Sequence, residues 1–412
     1  MSERSFISLV CLMLVCCEVQ AGDWTQWRGP NHNNVAEAGQ GGLIEWSETK
    51  NVIWKVDVPG RGHASPIITG NTIVLCSADD DGQTQSVMAF DRKQGNRLWL
   101  TQISQGGFPV THRKNTHASP TAVTDGKHIY ATFCHHEKIE AVCLDLQGKI
   151  IWRKEVGRFR PKLYEYGYAS SPTIYKDKLI ISADCDTVAW LKALNLSDGS
   201  VAWEQKREFM LNWSSPIVAS IAGRDQLLLS GTNKIASYNP NNGEPLWSTP
   251  CLTMATCGTC TWEDDLIFAS GGYPKAETVA VKADGSGVAW KNTVKCYEQS
   301  TVVSNGYLYA FSDAGIVHCW NAKTGEEMWK RRLSGPVSAS PLVVGDNIFA
   351  TNEAGTTWVF KATPEKYEQL AENQLGDSSF ASLVAVDGQL FIRAASGDGA
   401  GRKESLYCIG VK

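Results

Sequence analysis

The sequence predicts an all-β fold, an eight-bladed β-propeller of four-stranded antiparallel blades. Three observations carry this. A Gly-x-x-x-Trp element recurs along the 412 residues, a Ser-Pro element recurs between its copies, and helical periodicity is nearly absent. The best helical candidate is the stretch Glu365–Glu372.

At the N-terminus, Arg4 precedes the apolar run FISLVCLMLVCC (Phe6–Cys17), which is too short to span a bilayer. Val19-Gln20-Ala21 follows as a small-residue cleavage site. The chain is therefore expected to be exported, periplasmic or secreted, and soluble once residues 1–21 are removed as a signal peptide. Residues 22–50 then form a leader and 51–412 a single propeller domain. No later segment is apolar enough to cross a membrane. A formal charge of −4 gives no electrostatic reason to expect nucleic acid.

After the leader, NVIWKVDV (Asn51–Val58) reads as an outer-type strand with its own Trp54, although it precedes the first Ser-Pro. The Gly-x-x-x-Trp copies follow as GNRLW (Gly95, Trp99), GKIIW (Gly148, Trp152), GSVAW (Gly199, Trp203), GEPLW (Gly243, Trp247) and GEEMW (Gly325, Trp329). GSGVAW, ending at Trp290, is a variant with a residue inserted or Gly285 displaced. Asp91, Asn195, Asn239 and Asn321 stand four residues before their glycines. Ser-Pro recurs as HASP at His63, HASP at His117, ASSP at Ala169, WSSP at Trp213 and SASP at Ser338, with degenerate copies at CGTC (Cys257), EQST (Glu298) and FASL (Phe380).

Between successive copies lie four apolar runs separated by turn signals, at a period of about 40 to 54 residues, the range of propeller blades. The last unit, from Phe380, supplies only three strands before the chain ends. Residues 51–58 are expected to complete it, closing the ring and removing an open edge. Each Trp on an outer strand lays its ring over the neighbouring blade, and the Gly allows the tight turn and the close approach. Trp54, Trp99, Trp152, Trp203, Trp247, Trp290 and Trp329 are thus scaffold. The seventh unit lacks a Trp, and Tyr367 or Leu370 is expected in its place.

Three of the 13 Cys fall before residue 21, leaving ten. Cys134 and Cys143 would face each other if Lys138-Ile139 made a hairpin turn. Cys257-Gly-Thr-Cys260 sits among strands, without the helix N-terminus of a redox pair or the second ligand pair of a zinc site. A structural disulfide or buried thiols are the expectation. His135 and His136 fall on the same hairpin, where adjacent residues face opposite ways, so a shared metal is not expected.

The repeated D/N-x-x-x-G-x-x-x-W is similar to the tryptophan-docking motif of quinoprotein-type propellers, and DWTQWRGPNHNNV (Asp23–Val35) resembles the leader of exported bacterial members. That group includes pyrroloquinoline quinone (PQQ) dependent dehydrogenases and non-catalytic members such as the propeller lipoprotein of the outer-membrane β-barrel assembly machinery. The resemblance runs from Trp24 to the C-terminus and implies fold; the motif is shared by enzymes and non-enzymes. An alcohol- or sugar-oxidising member would imply PQQ and Ca²⁺, held by Glu, Asn and Asp. The vicinal Cys pair of the alcohol-oxidising class has no counterpart after residue 21, and no cofactor-holding position maps onto this chain.

Propellers bind ligands where the loops feeding the innermost strands converge. The residues two or three before each Ser-equivalent would ring that mouth: His63, His117, Tyr168, Trp213, Glu298, Ser338 and Phe380. Two loops there are long, Gln105–Thr116 and Gly157–Gly167, and carry His112, Arg113, Lys114, Arg158, Arg160 and Lys162 as a basic lip. The expectation is a non-catalytic, monomeric binding module with a protein or carbohydrate ligand at this face and no cofactor or metal. The alternative is a PQQ- and Ca²⁺-dependent oxidoreductase.

Overall fold

Strand-forming runs with turn residues at fixed intervals fold into eight sheets arranged around one ring. The computed structural model describes residues 22–36, 43–209 and 211–411; the expected signal segment lies outside the described residues. Blades 1 to 7 occupy residues 67–105, 123–158, 173–206, 217–250, 261–292, 302–332 and 342–374. Blade 8 takes its three inner strands from residues 384–409 and its outer strand from Val52–Val58, which pairs antiparallel with Lys403–Ile409, Trp54 opposite Cys408.

Burial explains the sequence pattern strand by strand. The second and third strands of a blade are covered on both faces, so Ile73–Ala78 and Val87–Phe90 are buried without alternation. Outer strands such as Glu327–Arg332 lie largely in water, with Trp329 the half-buried residue. An Asp or Asn before the Gly caps the outer turn in several blades: the Asp91 carboxylate accepts the N–H groups of Lys93 and Gln94, and Asn321 those of Lys323 and Thr324. Helix is confined, among the described residues, to one 3₁₀ turn at Gly399–Gly401, and Glu365–Glu372 runs instead into the strand Gln369–Gln374.

Six of the seven Trp side chains donate Nε1–H to a backbone carbonyl of the next blade, as in Trp99 to Leu146, 2.9 Å, and Trp152 to Leu196, 2.9 Å. Trp247 reaches Gln226 Oε1 instead, and Gln226 passes the link to the Ala283 carbonyl. All of these rings but that of Trp329 lie on the next blade's glycine; a Cβ on Gly95 would stand 2.7 Å from Trp54 Cδ2, with φ already at +77°. Gly285 holds the same place against Trp247, so the inserted residue follows the glycine.

Blade 7 departs from the expectation. Its register places Ala371 opposite Val359, just before a bulge, where Trp99 stands opposite Ala89 in blade 1. Tyr367 occupies the glycine position and packs against Trp329 at 5.7 Å. The missing ring comes from the leader. Trp46 is buried, stacks on Phe349 at 6.1 Å, and joins the apolar cluster linking blades 7 and 8. Asn373 clamps it by accepting the Trp46 N–H and donating to the Ile44 carbonyl.

The hairpin of blade 2 turns at His136-Glu137, not Lys138-Ile139. Cys134 therefore faces Ile139 and Cys143 faces Tyr130. All ten described cysteines are free thiols.

Candidate ligand site at the mouth of the ring

The Ser-Pro element has a physical role visible only in three dimensions. Where each innermost strand begins, a backbone N–H donates to the hydroxyl of the next blade. The chain of donors runs Ser65 to Thr121, Ser171, Ser215, Thr259, Ser300, Ser340, Ser382 and back to Ser65, at 2.9–3.4 Å. A short hydroxyl is needed because these amides are buried and have no strand partner. The degenerate copies CGTC, EQST and FASL supply Thr259, Ser300 and Ser382 and so belong to the ring.

In blade 2 the ring hydroxyl is Thr121, two residues after the Ser of HASP. That shift decides the mouth. The residues two before each ring position are His63, Ser119, Ala169, Trp213, Cys257, Glu298, Ser338 and Phe380, and all eight line a cavity of about 440 Å³. His117 and Tyr168 are displaced from it. His117 fastens its loop by contacts to Asp80 and the Pro109 carbonyl, both 2.9 Å, and the buried Tyr168 donates to the Ser182 carbonyl.

The floor is the leader. Residues 22–36 cross the other end of the channel and bond in turn to blades 1, 2, 3, 5, 6 and 7. Trp24 bridges Ile68, Thr25 accepts from Thr124, and His32 meets Thr173. Buried Arg28 donates to the Thr301 carbonyl at 2.7 Å, and Val35–Ala36 pairs parallel with Val343–Val344. Trp27, bonded to the Thr259 hydroxyl at 3.0 Å, faces the cavity. Burial pushes His32 down to about 4, so the plug carries a neutral imidazole at neutral pH.

The walls are aromatic. Tyr166 stacks on Trp213 at 5.8 Å, His112 meets Tyr166 at 5.0 Å, and His63 lies flat on Phe380 at 4.4 Å. The two long loops are tied together, because Thr111 and Asn115 both donate to the Tyr166 carbonyl. Burial, with Arg61, Arg393 and Arg402 nearby, holds His63 well below its ordinary pKa and therefore neutral.

One side is polar. Lys114 reaches across the mouth to Glu353 at 2.7 Å and Glu298 at 3.7 Å. The Ser338 hydroxyl lies within hydrogen-bond distance of both carboxylates. Its single proton can serve one of them, so the other oxygen contact needs a proton on a carboxyl. Burial raises the Glu298 pKa, against the opposing pull of Ser338 and Lys114. Lys295 sits over the Tyr297 ring at 5.3 Å and pairs with Asp313.

Of the lip residues, His112 and Lys114 line the cavity. Arg113, Arg158, Arg160 and Lys162 are exposed outside it, Arg160 pairing with Glu137 at 3.0 Å. Tyr164, Tyr273, Tyr297 and Lys295 also line the cavity and carried no repeat signal. Ser119, Ala169 and Cys257 would have followed from aligning the hydroxyl position instead of Ser-Pro. Among the described residues, no cavity hydroxyl or thiol bonds to an imidazole, and burial raises the Cys257 pKa.

The family described as outer membrane protein assembly factor BamB matches residues 29–115, 83–298 and 274–404. The BamB of Yersinia pestis is 22% identical over 378 residues, covering 77% of this chain and 89% of that protein. Among solved structures, BamB from Moraxella catarrhalis superposes with a TM-score of 0.63 at 14% identity, over 88% of this chain and 97% of that one. A europium-containing methanol dehydrogenase gives 0.69 at 11% identity, over 95% and 98%. At such identities the structures speak for the fold alone. With the family matched over nearly all of the ring, the chain belongs to the BamB family of β-propellers.

Proposed function

We propose that this chain is an exported, non-catalytic propeller that holds a protein partner at the mouth face and serves in the assembly of outer-membrane proteins, as its family's description states. The observation that carries the reading is the character of that face. Val110, Leu163, Tyr166 and Tyr273 expose apolar surface around the cavity, between 39% and 74% of each residue. Exposed Arg113, Arg158 and Lys162 lie on the same two loops as Val110, Leu163 and Tyr166. Aromatic anchors with a basic rim are what a protein interface needs. The channel is closed from the other end by the leader, so a partner has one mouth to engage.

The oxidoreductase alternative finds little support in the donor set. Ca²⁺ takes six to eight oxygen ligands, led by ionised carboxylates. The cavity's carboxylate, Glu298, is engaged by Ser338, faces Lys114 and has its pKa raised by burial. These residues do not fit a Ca²⁺–quinone pair. The Tyr166–Trp213 wall does favour, as a second reading, a sugar ring stacked in the cavity.

The test is deletion of the gene in its host, with folded outer-membrane β-barrel proteins quantified. Their level is expected to fall, and to be restored by the wild-type chain but not by a folded Tyr166→Ala/Tyr273→Ala variant. Unchanged levels after deletion would refute the assembly role. Full rescue by the double variant would move the interface off this face.

A further inference from the structure

The hairpin turn of blade 2 places two imidazoles together, contrary to the alternation expected of adjacent strand residues. His136 sits at φ +48°, outside the strand, which swings its ring back toward His135. The two Nδ1 atoms stand 3.0 Å apart, with the rings at 90°. Three contacts hold this geometry. The His136 N–H donates to the Gly107 carbonyl at 2.6 Å, and its ring covers Gly107, where a side chain would collide. His135 Nε2 lies 3.1 Å from Glu140, and Arg153 grips that carboxylate through Nε and Nη2 at 3.1 and 2.7 Å.

The tautomer follows from these partners. Arg153 donates to both Glu140 oxygens, the bidentate pairing of a guanidinium with an ionised carboxylate. An ionised carboxylate only accepts, so His135 Nε2 carries the proton and its Nδ1 is unprotonated beside the His136 ring. A carboxylate behind one imidazole nitrogen, with the other nitrogen free, is the arrangement that orients a metal-binding histidine. His136 is exposed, which leaves solvent access to the space between the rings. Two nitrogens, each about 2.0 Å from a metal and at right angles around it, stand about 2.8 Å apart. That separation suits the tetragonal geometry of Cu(II).

We propose that His135 and His136 form a two-histidine chelate for a divalent transition metal, Cu(II) by preference, with Glu140 as the positioning residue behind His135. No group of three or more His, Cys, Asp or Glu is arranged for a metal among the described residues, so water completes the coordination. The site lies on the mouth face, against the Gln105–Thr116 loop, and is independent of the protein-binding reading.

The experiment is titration of the purified mature chain with Cu(II) at neutral pH, by equilibrium dialysis and electron paramagnetic resonance. Wild type is expected to bind one more Cu(II) than His136→Ala, with hyperfine structure from two imidazole nitrogens. Glu140→Gln should weaken that site by about 10- to 100-fold while keeping the same spectrum. His136→Ala retains the backbone bond to Gly107, and circular dichroism checks that it folds. Equal stoichiometry and affinity in wild type and His136→Ala, zero binding included, would overturn the proposal and leave a plain Nδ1–H···Nδ1 hydrogen bond.

Discussion

Trp46→Ala tests whether the leader supplies the ring that blade 7 lacks. Trp46 is 4% exposed and lies nearly parallel to Phe349, an interplanar angle of 11°. Truncation empties an indole-sized space between blades 7 and 8, and deletions of this kind cost about 3–5 kcal/mol. The loss of the stacked pair is part of that figure, at roughly 0.5–1.5 kcal/mol. The backbone bond from residue 46 to Asn373 survives in the variant, so the change reads packing alone. Reversible urea unfolding followed by far-UV circular dichroism gives the comparison, with the midpoint shifted and the slope unchanged. Trp46→Phe should recover more than half of the loss. A cost below about 1 kcal/mol, the range of surface substitutions and weak contacts, would show that the leader lies on the blade without filling the seam.

Other outcomes follow from single contacts. Ser215→Ala removes the acceptor for the buried Ser171 N–H and should cost about 1–3 kcal/mol by the same assay, whereas an exposed serine such as Ser286 should tolerate the change. Gly148→Ala forces a Cβ to 2.5 Å from Trp99 Cδ2 at φ +83°; the backbone strain alone is worth about 1–2 kcal/mol, and near-ultraviolet circular dichroism should report the displaced indole. Burial raises the Glu298 pKa, so the fold favours its protonated form. That contribution is present in full below the unfolded-state pKa and is lost as pH rises through the raised folded value. Glu298→Gln should therefore gain stability relative to wild type as pH rises above the unfolded-state value of about 4, and a parallel pair of stability curves would refute the assignment.

Much of the ring was legible because its elements are local. A Gly four residues before a Trp, an Asp or Asn four before that, and a Ser at the inner strand each report a turn or strand end within one blade. Counting them placed Val52–Val58 in the last sheet, since a closed ring leaves no unpaired edge. The mouth was half legible for the same reason. His63, Trp213, Glu298, Ser338 and Phe380 follow from their motif, while His117 does not, because the hydrogen bond that defines the position skips from Ser119 to Thr121 in blade 2.

The sequence by itself determined the fold, the number of blades and the scaffold role of the tryptophans, because each repeat writes its own turns and buried strands. Only the tertiary structure decided that the leader plugs the channel through Arg28 and Trp27 and lends Trp46 to blade 7. It alone joined Lys114 to Glu353 across the mouth and turned His136 back onto His135. These contacts link residues far apart in the chain, or depend on one left-handed backbone angle, and neither leaves a period in the sequence.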